Sequence, residues 1–170
     1  KKLTYKQLGK YELEDLVAGA NYLTGLNYID DSRIGIWGWS YGGYMASLAM
    51  TKAAGAFRLG IAVAPVTNWR FYDTIYTERY LQTPQQNASG YDENSPSTYA
   101  ANLKEKFLLI HGTGDDNVHF QNSVVLQDAL IDAGKQFESF YYPDKHHGIQ
   151  GGKTRLHLYT MMADFITQNL

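Results

Sequence analysis

Apolar positions recur along this chain in two alternating rhythms. Leu13, Leu16, Val17, Ala20 and Leu23 repeat at three- and four-residue steps, which predicts an amphipathic helix over Glu12 to Thr24. Its acidic opening, Glu12, Glu14 and Asp15, suits the positive end of a helix dipole. A turn over Asn27 to Asp31 leads into a short run of strand-forming residues, Arg33 to Trp39. The helical rhythm returns from Tyr41 to about Thr51. Leu59 to Ala64 is apolar without interruption, as expected of a strand buried on both faces of a parallel sheet.

Beyond Pro65 the segment Thr67 to Leu81 carries Tyr72, Ile75, Tyr76 and Tyr80 at helical spacing. Gln82 to Ser95 is polar, contains Pro84 and Gly90, and reads as an exposed loop. Ser95 followed by Pro96 has the form of an N-cap and first helical residue, predicting a short helix to about Leu103. A strand over Phe107 to His111, a helix over Phe120 to Ala133 stopped by Gly134, a strand over Phe137 to Tyr142 and a helix over Thr154 to Gln168 complete the pattern. Strands alternating with helices, the strands reading as buried, predict an α/β fold around a parallel sheet of about four strands.

Composition narrows the function. At 170 residues with 44% hydrophobic content the chain can build one real core. A formal net charge of -2 gives no electrostatic case for nucleic acid or an anionic membrane. The absence of cysteine excludes disulfides and zinc–thiolate sites. No apolar run is long enough for a membrane span, and the N-terminal stretch from Lys1 to Lys6 is not a signal peptide. Fourteen tyrosines suit an aromatic pocket, although packed surfaces explain them equally well.

The chemistry concentrates at Gly38-Trp39-Ser40-Tyr41-Gly42-Gly43, a Gly-x-Ser-x-Gly pattern placed between a predicted strand and a predicted helix. That context marks a nucleophile elbow, a turn so sharp that bulky neighbours of the serine would clash. Two other strand ends carry Asp115-Asp116 and His146-His147, so Ser, Asp and His follow in the order of α/β-hydrolase triads. Spacing alone does not choose between Asp115 and Asp116, or between His146 and His147. His111, at a strand end, reads as a buried structural hydrogen-bonder. Asp115, Asp116, His146 and His147 lack dense metal-ligand spacing, so no metal and no other cofactor is expected.

These motifs, with Ala64-Pro65-Val66, Tyr76-Thr77-Glu78-Arg79-Tyr80 and the run from His111 to Gln121, resemble the catalytic domain of the prolyl oligopeptidase family, most closely its dipeptidyl peptidase IV branch. The resemblance covers nearly the whole chain. It implies the C-terminal portion of an α/β-hydrolase fold and a serine exopeptidase that removes N-terminal dipeptides with proline or alanine second. Carried over residue by residue, it makes Ser40 the nucleophile, Asp115 the carboxylate and His147 the base. It makes the Tyr41 N–H one oxyanion donor, consistent with the rule that the residue after the nucleophile supplies one. Tyr41, Val66, Trp69, Tyr72, Tyr76 and Val118 match the family's pocket for the proline ring, and Asn117 matches its ligand for a substrate carbonyl.

The resemblance also implies parts that this sequence does not contain. The family has further N-terminal strands, a tyrosine hydroxyl as second oxyanion donor, and a β-propeller whose acidic residues hold the substrate amine. The chain therefore reads as a single partial catalytic domain of a larger enzyme, inactive by itself, since loss of one oxyanion donor costs about a hundred- to a thousandfold. An apolar strand edge at Ile34, Ile36 and Trp37 would seek a partner, so a homo-oligomer is expected. The resemblance favours an extracytoplasmic setting. A prolyl endopeptidase or acylaminoacyl peptidase of the same superfamily is the nearest rival, and a non-catalytic interaction module is the rival from another class.

Overall fold

The computed structural model describes residues 3–170. Lys1 and Lys2, which open the polar N-terminal stretch, lie outside the described residues. Four strands, β1 (Gly35–Trp39), β2 (Leu59–Val63), β3 (Lys106–Gly112) and β4 (Glu138–Tyr142), form one sheet in the order β1-β2-β3-β4. Every pairing is parallel, with Trp39 opposite Val63, Val63 opposite Ile110, and Gly112 opposite Tyr142. All four carboxyl ends therefore open on one edge of the sheet, where α/β folds place their sites. Among the described residues no helix is long and apolar enough to cross a membrane.

The uninterrupted apolar runs are explained by helices on both faces. Leu59, Ile61 and Val63 of β2 join Leu108 and Ile110 of β3 in a cluster with Leu158, Met162 and Phe165 of α6 (Thr154–Asn169). Ala62, Phe107 and Leu109 turn the other way, into a larger cluster with α1 (Lys10–Thr24), α2 (Tyr41–Thr51) and α5 (Gln121–Asp132). Gly60 is what lets α2 lie close, because a Cβ there would meet the Met50 side chain at 2.3 Å.

Three expected elements differ. The helix expected over Thr67 to Leu81 is broken at Tyr72 and Asp73 into a 3₁₀ turn, Trp69–Phe71, and α3 (Thr74–Leu81). Each piece has its own cap, since Asn68 Oδ1 accepts from the Arg70 N–H and Asp73 Oδ1 from the Tyr76 N–H. Ile75 is 78% exposed, off the face shared by the tyrosines.

The expected exposed loop Gln82 to Ser95 is instead anchored, and contains α4 (Ala88–Asp92) with Gly90, Tyr91, Asn94 and Ser95 buried. Tyr91 donates to the Gln82 carbonyl, Tyr44 to the Asn94 carbonyl and Ser95 to the Thr67 carbonyl, so main-chain oxygens tie a polar segment down. That last bond also occupies the Ser95 hydroxyl. The helix it was expected to cap is a 3₁₀ segment, Pro96–Asn102, kinked at Tyr99.

Candidate active site

Ser40 stands between β1 and α2 with φ 60° and ψ -117°, a conformation that L-residues adopt only under strain. A serine at a helix N-cap ordinarily turns its hydroxyl back to accept from the first turn. Here no such bond forms, and among the described residues Ser40 Oγ has no hydrogen-bond partner. The main chain holds the residue instead, with its N–H on the Val63 carbonyl at 2.9 Å and its carbonyl taking the Tyr44 N–H at 2.9 Å. Gly38 makes the turn possible, because a Cβ would sit 2.2 Å from the main chain of Gly42. The first N–H groups of α2 have no partner within the helix and face the serine end, favouring negative charge there.

Asp115 leaves the tip of β3 with its side chain fully buried. Oδ1 accepts the N–H groups of Asn117 and Val118, both at 3.0 Å. Oδ2 faces two imidazoles, His147 Nδ1 at 2.8 Å and His111 Nε2 at 3.1 Å. Burial pushes this carboxyl up, but the hydrogen bonds from His111, His147 and Asn117 and the charge of His147 outweigh it and hold the group well below the usual carboxylate range. The neighbouring pair is different in kind: Asp116 meets His146 at 3.4 Å with both side chains mostly in solvent.

His147 is delivered by the loop after β4. Gly112 allows that loop to close over β3, since a Cβ there would meet the Lys145 carbonyl oxygen at 2.1 Å. Trp39, the residue before Ser40, donates its indole N–H to the His147 carbonyl at 3.0 Å. The Arg155 guanidinium covers that indole at 5.2 Å and donates to the Gly148 carbonyl. Asp115 and His147 are thus joined directly, while the main chain of His147 is tied to the residue beside Ser40. Reactive hydrogen bonds to a nucleophile are often long until substrate arrives.

The residues expected to hold a proline ring come together in one aromatic group. Trp69 lies against Tyr41 at 5.6 Å, stacks on Tyr76 at 5.8 Å and meets Tyr72 edge-on at 5.9 Å. Val66, Trp69 and Val118 are buried to 2%, 1% and 0% exposure, so they form the base, and the part-exposed Tyr41, Tyr72 and Tyr76 rise from it. The Tyr72 hydroxyl donates to Asn117 Oδ1 at 2.8 Å, linking the aromatic group to the Asp115 loop. A groove of about 650 Å³ lies elsewhere, between β4 and α6 around Phe140, His157 and Met161, and shares none of these residues.

Three contributors escaped the sequence reading. Glu12, taken for a dipole partner, accepts from the Tyr41 hydroxyl at 2.6 Å; burial first, then this bond and the Glu12 charge, hold the phenol well above its ordinary range. Trp39 was visible only as a motif filler. Asn122, fully buried in α5, accepts the Thr67 N–H and donates to the His119 carbonyl, bracing one wall of the aromatic group against the Asp115 loop. Among the described residues no cluster of His, Cys, Asp or Glu could hold a metal ion.

A parallel sheet with a strained serine between strand and helix, and a buried carboxylate on a histidine at neighbouring strand ends, defines an α/β-hydrolase fold. The model of the prolyl oligopeptidase family, Peptidase_S9, matches residues 1–170, and the chain belongs to that family. It is 48% identical to dipeptidyl peptidase 4 of Felis catus over 166 residues, covering 96% of this chain and 22% of that protein. It is 45% identical to prolyl endopeptidase FAP of Mus musculus over 167 residues, with the same coverage, 96% and 22%. The crystal structure of Porphyromonas gingivalis dipeptidyl peptidase 4 superposes with a TM-score of 0.97 at 49% identity, over 99% of this chain and 24% of that one. The chain thus spans less than a quarter of the length of these relatives.

Proposed function

We propose that this chain carries the serine, histidine and aspartate of a peptidase that releases N-terminal Xaa-Pro or Xaa-Ala dipeptides. The observation that carries the reading is the 2.8 Å bond between His147 Nδ1 and the buried Asp115, presented at the same sheet edge as an uncapped, strained Ser40. Ser40 Oγ attacks the scissile carbonyl and gives its proton to His147 Nε2, while Asp115 steadies the imidazolium that forms. The Tyr41 N–H stabilises the oxyanion. Collapse expels the amine, which takes the proton from His147, and water attacks the acyl-serine by the same route in reverse. The aromatic group of Tyr41, Trp69, Tyr72 and Tyr76 receives a small apolar ring, and Asn117 binds a substrate carbonyl.

The reading places these residues in a longer enzyme, outside the cytoplasm, whose other parts supply a second oxyanion donor and an anchor for the substrate amine. Residues 1–170 alone are then inactive. The likeness to a protein named prolyl endopeptidase favours one second reading, cleavage within blocked peptides.

The test is hydrolysis of Ala-Pro-anilide and of an N-blocked Gly-Pro-anilide by the full-length protein, by residues 1–170, and by Ser40→Ala in each. Turnover of the free-amine substrate by the full-length protein alone, lost at least 10³-fold in Ser40→Ala, is expected. Turnover of the blocked substrate alone transfers the assignment to the endopeptidase. Turnover unaffected by Ser40→Ala removes the serine mechanism.

A further inference from the structure

His111 is fully buried, and the peptidase reading leaves it without a task. It ends β3 on the face turned toward α5, with its ring edge-on to Phe120 at 5.7 Å. Its hydrogen bonds determine where its hydrogen sits. Nε2 faces two acceptors, Asp115 Oδ2 at 3.1 Å and the Val118 carbonyl at 2.9 Å, so Nε2 carries a hydrogen. Nδ1 faces the Ser123 hydroxyl at 2.7 Å, the one partner in this set able to donate to it. Ser123, itself fully buried in the first turn of α5, thereby points the Nε2–H at Asp115.

The bond falls on a particular oxygen. Oδ1 is occupied by two main-chain N–H groups, and Oδ2 is the oxygen that holds His147. A histidine needed only to fill space could have bonded the Val118 carbonyl and nothing else. Sharing Oδ2 has two physical effects. Four donors on one carboxylate fix its plane, and hence the direction in which it holds the His147 ring. A second donor also withdraws electron density from Oδ2, so that Oδ2 attracts the His147 Nδ1–H less strongly.

We propose that His111 is a positioning residue of the Ser40, His147, Asp115 system, setting through Asp115 Oδ2 both the orientation and the basicity of His147. The proposal rests on the peptidase reading of the same three residues and deepens it. Without the His111 donor, Oδ2 binds an imidazolium at His147 more tightly, so His147 keeps its proton to higher pH. The other titratable groups around the pair are Asp116, His119, Asp144, Lys145 and His146 on the two loops, Tyr141 opposite His111 on β4, Tyr72 beside Asn117, and Arg155 of α6 on the Gly148 carbonyl. None of them bonds His111, so replacing it leaves each with its own partners.

The experiment follows the His147 ring by NMR titration in the full-length protein, in wild type, His111→Phe and His111→Gln, alongside the pH profile of kcat/KM. His111→Phe is expected to raise the His147 midpoint and the acid limb by about half a pH unit, and to lower kcat about tenfold with KM within about twofold. His111→Gln, which keeps an N–H donor near the Nε2 position, is expected to restore both. If His111→Phe does not fold, Ser123→Ala removes the hydroxyl that points the ring and is expected to shift the midpoint in the same direction by less. A wild-type midpoint in His111→Phe, or in Ser123→Ala where His111→Phe does not fold, overturns the proposal. Labelling of wild-type Ser40 by a fluorophosphonate reads the peptidase assignment separately. Absence of labelling sinks that assignment, while the NMR midpoint still decides whether His111 acts on His147.

Discussion

Asp115 shows how one side chain couples the fold to the chemistry. Four donors surround it, and folding lowers its pKa despite burial. Its contribution to stability is therefore complete above the ordinary value of 3.8 and is lost as pH falls from there toward the lower folded value. Asp115→Asn turns an amide N–H₂ toward donors, and is expected to destabilise the protein at pH 7 by about 1.5–3 kcal/mol. Urea denaturation at pH 7 and pH 3 checks this. The gap between wild type and variant is expected to narrow at the lower pH, and an unchanged gap would show that the carboxylate charge contributes nothing to folding.

Among the elements, the two strand-end glycines matter most. Gly38 and Gly112 sit where main chain passes too close for a Cβ, the first under the serine turn, the second under the histidine loop. Gly112→Ala cannot be relieved by a rotamer change, because its obstacle is the Lys145 carbonyl. The loop must move instead, and displacing His147 by about 1 Å is expected to lower turnover about a hundredfold. Hydrolysis assays beside a thermal melt check this, with the melt shifting far less than the rate.

Most elements were legible in the sequence for a physical reason. The central strands β2 and β3 are buried and nearly apolar throughout, and the helices between strands show their apolar stripe. The broken segment was not, because the spacing of Tyr72, Tyr76 and Tyr80 runs across the break; Asn68 and Asp73, each at a cap position, were the available signal. The Gln82 to Ser95 segment was not legible either, since the buried Tyr91 ring, bonds to main-chain carbonyls, and distant partners such as Lys52 for Asn94 and Arg70 for Asp92 hold it, and local polarity shows none of these. Within the candidate site, the motif pointed to Ser40 and the strand ends to the pairs Asp115-Asp116 and His146-His147, while the choice of Asp115 and His147 came from the family resemblance. Glu12, Trp39 and Asn122 stayed hidden because their partners lie 29, 108 and 55 residues away.

For the molecule as a whole, β1 is an edge: among the described residues it pairs with β2 alone, and Trp37 beside it is 53% exposed. We propose that residues 1–170 expressed alone associate through this edge, since unpaired backbone beside apolar side chains recruits another strand. Light scattering at micromolar concentration is expected to show dimers or larger species, and Trp37→Lys to shift them toward monomer. A monomer in both would end the idea. In a longer chain the same edge is expected to be occupied by further strands, and the Trp37 fluorescence to be that of a buried indole.

The first turn of α5 reaches two places at once. Asn122 secures Thr67, two residues before Trp69 at the base of the aromatic group, and Ser123 secures His111 behind Asp115. On the proposed peptidase reading, selectivity and reactivity are therefore not modular in this scaffold. Anyone redesigning the ring pocket by rebuilding the 66–69 loop would pull on the same helical turn that aims the charge system. Tyr72 and Tyr76, held by ring contacts and one bond to Asn117, offer the freer handle. Variation in side-chain preference should be sought on that wall first.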